Sequence, residues 1–166
     1  MFEIQIYLRK YWGEVEPFSE YDRYFSIHDK SSVYDLFSMY PNRMYNYGKV
    51  VIRNNYLILA KEECELDFFI SCIQDDKEQI FSGKIYKIDN SYFKLTFHYH
   101  EKLKISFNDK SINVSKKEFI DAFRTTAEIY YTMLAAVKED SEYYENQAMQ
   151  VHTEWQQDDH TLLKRW

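Results

Sequence analysis

The chain opens on an alternation. Phe2, Ile4, Ile6 and Leu8 are apolar, and Glu3, Gln5, Tyr7 and Arg9 between them are polar or amphipathic. A period of two predicts a β-strand with one buried and one wet face. The segment SSVYDLFSMYP that follows predicts a short helix, with Ser31 or Ser32 as its N-cap and Pro41 as its stop. From Gly48 onward, short apolar runs are broken by turn residues. KVVIR and YLILAK flank Asn54-Asn55, while GKIYKI and YFKLTF flank Asp89-Asn90-Ser91. DFFISCIQ sits between the two pairs and KLKISF follows them. Asn and Asp tolerate positive φ, so both junctions predict tight hairpins and the whole region an antiparallel meander of about six strands.

The period changes after residue 114. Ser115 and Glu118 have the spacing of a capping box. Phe119, Ala122, Phe123, Thr126, Tyr130, Met133, Leu134 and Val137 then recur at steps of three and four, one stripe of a long helix packing on the sheet. Lys117, Asp121, Arg124 and Glu128 fall on the opposite side, which is expected to be wet. Beyond KEDSE, a thinner stripe of Tyr144, Ala148, Val151, Trp155, Leu162 and Trp166 predicts a helix that is half exposed or waiting for a partner. The expected class is α+β in a single domain over 1–166, mostly β with one short helix over 1–115 and helical over 116–166. In element order it resembles the helix-grip architecture, in which a curved antiparallel sheet wraps a C-terminal helix.

Composition narrows the chemistry. There are 16 Tyr and 12 Phe but only 3 Gly and 2 Pro, so glycine-rich phosphate loops are absent. Glu3 and Gln5 interrupt the first apolar run, and no stretch approaches the length that spans a bilayer. The expected address is the cytoplasm, with no membrane partner. Cys64 and Cys72 lack CxxC spacing and read as plain thiols, Cys72 as a small buried hydrophobe.

Candidate catalytic features are few. His98 and His100 share one face of a strand, a spacing that permits a shared metal ion, but that face also carries Lys94 and no third ligand motif accompanies them. No GxSxG or HExxH motif occurs. The acidic runs KEECELD and QDDKEQ bracket the presumed strand DFFISCIQ, which would separate them by about 25 Å at opposite ends of a sheet. No catalytic residue, no metal and no cofactor is expected.

Charge is distributed in two poles. Residues 84–117 hold eight lysines against three acids, and residues 139–166 hold seven acids against Lys164 and Arg165. Lys94, His98, Lys102 and Lys104 near Tyr92 and Tyr99 outline a face on which single strands could stack, but the acidic pI of about 5.4 argues against nucleic acid as a partner. In the acidic segment, charges interleave with aromatics, the composition of an interface for a basic protein. Glu139, Asp140, Glu142, Glu145, Asp158 and Asp159 are the candidate charges, with Tyr143, Tyr144 and Trp155 as anchors.

In size, acidity and composition the chain is similar to the small immunity proteins with which bacteria neutralise a toxin, often a nuclease. That resemblance implies steric and electrostatic occlusion of a basic, phosphate-attracting site, and no enzyme activity. Two alternatives remain open: an apolar ligand held between the long helix and the sheet, with Phe119, Phe123 and Tyr130 lining the cavity, and a metal-dependent enzyme using His98 and His100.

Overall fold

A computed structural model describes residues 1–10, 23–41, 45–89, 93–156 and 162–166. Strand β1 (Phe2–Arg9) buries alternate residues as its sequence predicts. It pairs antiparallel with the short β2 (Tyr24–Ser26) and with β3 (Tyr47–Asn54), and β3 pairs with β4 (Leu57–Glu65), giving a sheet of order β2-β1-β3-β4. Asn55, at φ 52°, makes the tight turn between β3 and β4. Gly48 lies opposite Leu8, where a Cβ would come within 2.1 Å of the Tyr7 carbonyl oxygen, so only glycine fits.

Helix α1 (Lys30–Met39) covers the segment predicted as the first helix, but its N-cap is Asp29, which accepts from the Ser32 N–H. The junction Asn90-Ser91 and Tyr92 lie outside the described residues.

The single six-strand meander is corrected. DFFISCIQ is not a strand but most of helix α2 (Leu66–Asp75), followed by a short helical turn α3 (Lys77–Ile80). An apolar run of this length suits a buried strand or a buried helix equally. The N-cap decides: the Glu65 carboxylate accepts from the N–H groups of Asp67 and Phe68, and Leu66, Phe69, Ile70 and Ile73 then fall at helical spacing on the buried side. Helix α2 therefore splits the strands into two sheets. The second is a consecutive meander of β5 (Ile85–Asp89), β6 (Lys94–Tyr99), β7 (Leu103–Phe107) and β8 (Lys110–Val114). Its last hairpin turns at Asn108, again at positive φ.

Helix α4 (Lys116–Val137) starts at the predicted capping box, with both reciprocal bonds formed. Phe119 touches Phe2 of the first sheet and Phe97 of the second, so one helix closes one core under both sheets. Helix α5 (Ser141–Glu154) packs along α4, with Ala148, Val151 and Trp155 buried.

That packing overturns the expected polar face of α4. Arg124 is 5% exposed and Glu128 0%. Glu128 Oε1 lies 2.8 Å from His152 Nδ1 on α5 and 3.7 Å from Arg124 Nε, and Oε2 accepts from the Lys164 backbone N–H at 2.7 Å. The last residues run over α4 as a strap: the Trp166 N–H donates to Thr132 Oγ1, and its indole N–H donates to the Ile27 carbonyl. Leu162 is exposed and Trp166 stacks against Tyr34, so neither continues the α5 stripe. A buried carboxylate held by the Arg124 guanidinium, the His152 imidazole and a backbone donor is stable in place, but losing any one of them leaves a desolvated charge less well compensated.

Candidate functional site

The turn from α4 into α5 carries the predicted acidic segment. Glu139, Asp140, Glu142 and Tyr143 are all exposed, Tyr143 by 58%. Among the described residues none of the three acids has an ion pair. Tyr143 and Tyr144 meet edge to face at 5.1 Å, and Tyr144 is half buried. Glu145 is engaged by Arg165 of the C-terminal strap. Trp155 is corrected from surface anchor to core: it is fully buried, 4.4 Å from the Phe123 ring, with the Lys77 ammonium over its face. Asp158 and Asp159 lie outside the described residues.

The two acidic runs around α2 are closer than a strand would place them. Ten helical residues span about 15 Å rather than 25 Å. Asp67 and Asp75 both act on Tyr131 of α4, whose phenol is pushed up chiefly by burial and then by those charges. Tyr144 is raised to about 12 by burial and by Asp67. The acids of α2 and the aromatic start of α5 thus lie on one side of the molecule, an adjacency that linear spacing conceals.

Within that side, the junction of β4 and α2 concentrates polar groups. The Asn46 Nδ2 donates to Asp67 Oδ2 at 2.8 Å, and the Leu66 N–H donates to the Asn46 carbonyl. Glu65 is pushed up to about 7 by burial and by the neighbouring Asp67. Tyr130 is fully buried beneath, its phenol raised well above the ordinary range by burial and by the charge of Asp67. The Tyr130 hydroxyl interacts with the Asp67 carboxylate, and the Asn46 Oδ1 has no hydrogen-bond partner among the described residues.

The opposite pole is the outer face of the second sheet. Lys87, Lys94, His98 and Lys104 are exposed there, with His98 directly across from Lys104 and Lys94 paired to Asp89 at 3.1 Å. Tyr99 points away from this face and meets Phe81 edge to face at 5.4 Å, so it adds no stacking surface. His100 is exposed just beyond β6. Among the described residues no group of three or more His, Cys, Asp or Glu side chains is placed to hold a metal ion. Cys64 and Cys72 are free thiols, raised to about 12 and about 11 mainly by burial; Cys64 is buried and Cys72, expected to be so, only partly.

Phe119, Phe123 and Tyr130 pack against neighbouring side chains and line none of the described clefts. The largest of these, about 480 Å³, is an open groove between β1 and the first half of α4. Among the described residues no helix is long and apolar enough to cross a membrane. Comparison of the chain with protein-family models, curated proteins and solved structures finds no match.

Proposed function

We propose that this chain is a binding protein that neutralises a basic partner, as the small bacterial immunity proteins do with nuclease-type toxins. The observation that carries the proposal is the turn Glu139–Tyr143: three exposed acids without an ion pair among the described residues, beside an exposed tyrosine, at the head of a helix whose other face is anchored in the core. Uncompensated charge of one sign speeds encounter with an opposite surface, and a tyrosine adds contact area at low entropic cost. Anchoring through Ala148, Val151 and Trp155 holds the helix rigid, so little ordering is required on binding. The partner would present a basic site built for phosphate, and Glu139, Asp140 and Glu142 would stand in for the nucleic-acid backbone while Tyr143 fills the space between them.

The test is capture and inhibition. The tagged protein is used to retain a basic protein at low salt, and the captured protein is assayed for nucleic-acid cleavage with and without added chain. Salt-sensitive capture, inhibition of cleavage, and loss of both in a Glu139→Lys/Asp140→Lys/Glu142→Lys variant are expected. Equal capture and inhibition by that variant would reject this surface.

A further inference from the structure

Strand β1 has one edge that is only half paired. Its backbone groups alternate between the two edges: Met1 accepts from the Asn55 N–H on the β3 side, whereas Ile6 accepts from the Ile27 N–H and Lys10 donates to the Arg23 carbonyl on the β2 side. The even-numbered residues therefore face β2. That short strand reaches only from Arg9 back to Tyr7, after which the chain leaves through Ile27 and Asp29 into α1. From Ile4 to Phe2 the same edge has no strand beside it among the described residues. The Ile4 carbonyl accepts from Thr126 Oγ1 at 2.8 Å, while the Ile4 N–H and both backbone groups of Phe2 have no partner among the described residues. Phe2 and Ile4 line the groove of about 480 Å³ although their side chains are buried, so it is backbone that they present to it. The groove continues from Ser26 and Ile27, and its wall on α4 carries Glu118, Ala122, Thr125 and Ile129.

We propose that this groove binds an extended peptide carrying a lysine or arginine, which adds as a strand to the open half of β1 in line with β2. An unpaired sheet edge is a template for a further strand. The stretch Phe2–Ile6 is about 16 Å long, room for a strand of about five residues. Its Ile4 carbonyl keeps a second lone pair, so the Thr126 bond can stay in place. Charge sets the chemistry of the occupant. The groove is lined by Glu3, Glu118 and Asp121 and by no Lys or Arg. Glu3 is held by Arg53, and Asp121 lies 3.5 Å from Lys117 and 3.4 Å from Arg124. Glu118 commits one oxygen, Oε2, to the Ser115 cap, and its Oε1 has no partner among the described residues. Main-chain bonds to Phe2 and Ile4 fix the register, alternate side chains of the peptide pack on Ala122 and Ile129, and its basic residue pairs with Glu118.

The probe is a phage-displayed library of random dodecapeptides, selected on the full chain. Recovered peptides are synthesised with a fluorophore and titrated by anisotropy. Saturable binding is expected, by peptides that place Lys or Arg in an alternating, β-branched pattern. Ala122→Trp fills the groove and should weaken binding about tenfold or more. Thr125→Arg, which brings a cation into the groove, serves as a second variant should Ala122→Trp fail to fold. N-methylation of the peptide reads the backbone pairing, because an edge strand bonds its neighbour through every second residue. Methyl groups on one set of alternate residues should abolish binding, and those on the other set should leave it. Glu142→Lys on α5 should leave binding unchanged. Recovery of no peptide, binding that survives both groove variants, equal tolerance of the two methylation patterns, or loss of binding in Glu142→Lys would overturn the proposal. The groove does not include the turn Glu139–Tyr143, so this inference does not rest on the partner surface proposed above and either can fail alone.

Discussion

Glu128 and Glu142 sit on adjoining helices and have opposite fates. Glu128 is enclosed in the seam between α4 and α5, held by His152, Arg124 and the backbone of the C-terminal strap. Glu142 stands in the first turn of α5 with Glu139 and Asp140 beside it, exposed and without an ion pair among the described residues. The same side chain is a structural element in one place and a free charge in the other. Aromatics divide in the same way: Trp155 closes the core while Tyr143 faces solvent. Within this acidic protein, the charges available to a partner are those that the fold has not consumed.

The comparison breaks most sharply at Glu128. Replacing it with Ala leaves the buried Arg124 with only its Asp121 contact at 3.4 Å and frees the strap, and a loss of about 3–5 kcal/mol is expected from urea denaturation. A loss below 1 kcal/mol would mean that the seam is not as dry as its burial implies. Trp155→Ala should cost a similar amount, about 3–5 kcal/mol, whereas Tyr143→Ala should stay within about 0.5 kcal/mol, and parallel melts of the two variants measure the contrast.

Glu65 gives a smaller, pH-dependent effect. Its carboxyl rises from 4.5 to about 7 in the folded protein, so the folded state binds this proton more tightly than the unfolded chain between those values. The stabilising contribution is complete below the unfolded value and is lost as pH rises through about 7. Glu65→Gln cannot lose the proton, so relative to wild type it should gain roughly 1 kcal/mol, after allowance for solvent screening, between about pH 5 and pH 8. A difference in urea midpoint that does not change with pH would contradict this. Glu139→Lys/Asp140→Lys/Glu142→Lys places cations at the N-terminus of α5, so a loss of about 1 kcal/mol is expected, and the same variant should slow association with a basic partner about tenfold or more. Stopped-flow association at two ionic strengths reads that difference.

Local patterns were legible where they were settled within a few residues. The alternation of β1, the Asn54-Asn55 hairpin and the Ser115–Glu118 box each carry their own geometry. Helix α2 was legible in principle, since Leu66, Phe69, Ile70 and Ile73 recur at helical steps behind the Glu65 cap, but the continuous apolar run hides that spacing. The candidate acidic turn could be read because three acids and a tyrosine fall within the five residues 139–143. The Glu65, Asp67, Asn46 and Tyr130 cluster could not, because its members are spread from residue 46 to residue 130 and include an Asn and a Tyr that carry no signal alone.

From sequence alone came the α+β class, the antiparallel strands, the long capped helix and the two charge poles, because periodicity, turn chemistry and charge counts are properties of neighbouring residues. Tertiary structure alone decided that the strands form two sheets, that Arg124, Glu128 and Trp155 are buried, and that Asn46 and Tyr130 meet Asp67. Burial of a polar helix face depends on what packs over it, and here the covering elements, α5 and the last residues of the chain, lie far along the sequence from the charges they enclose.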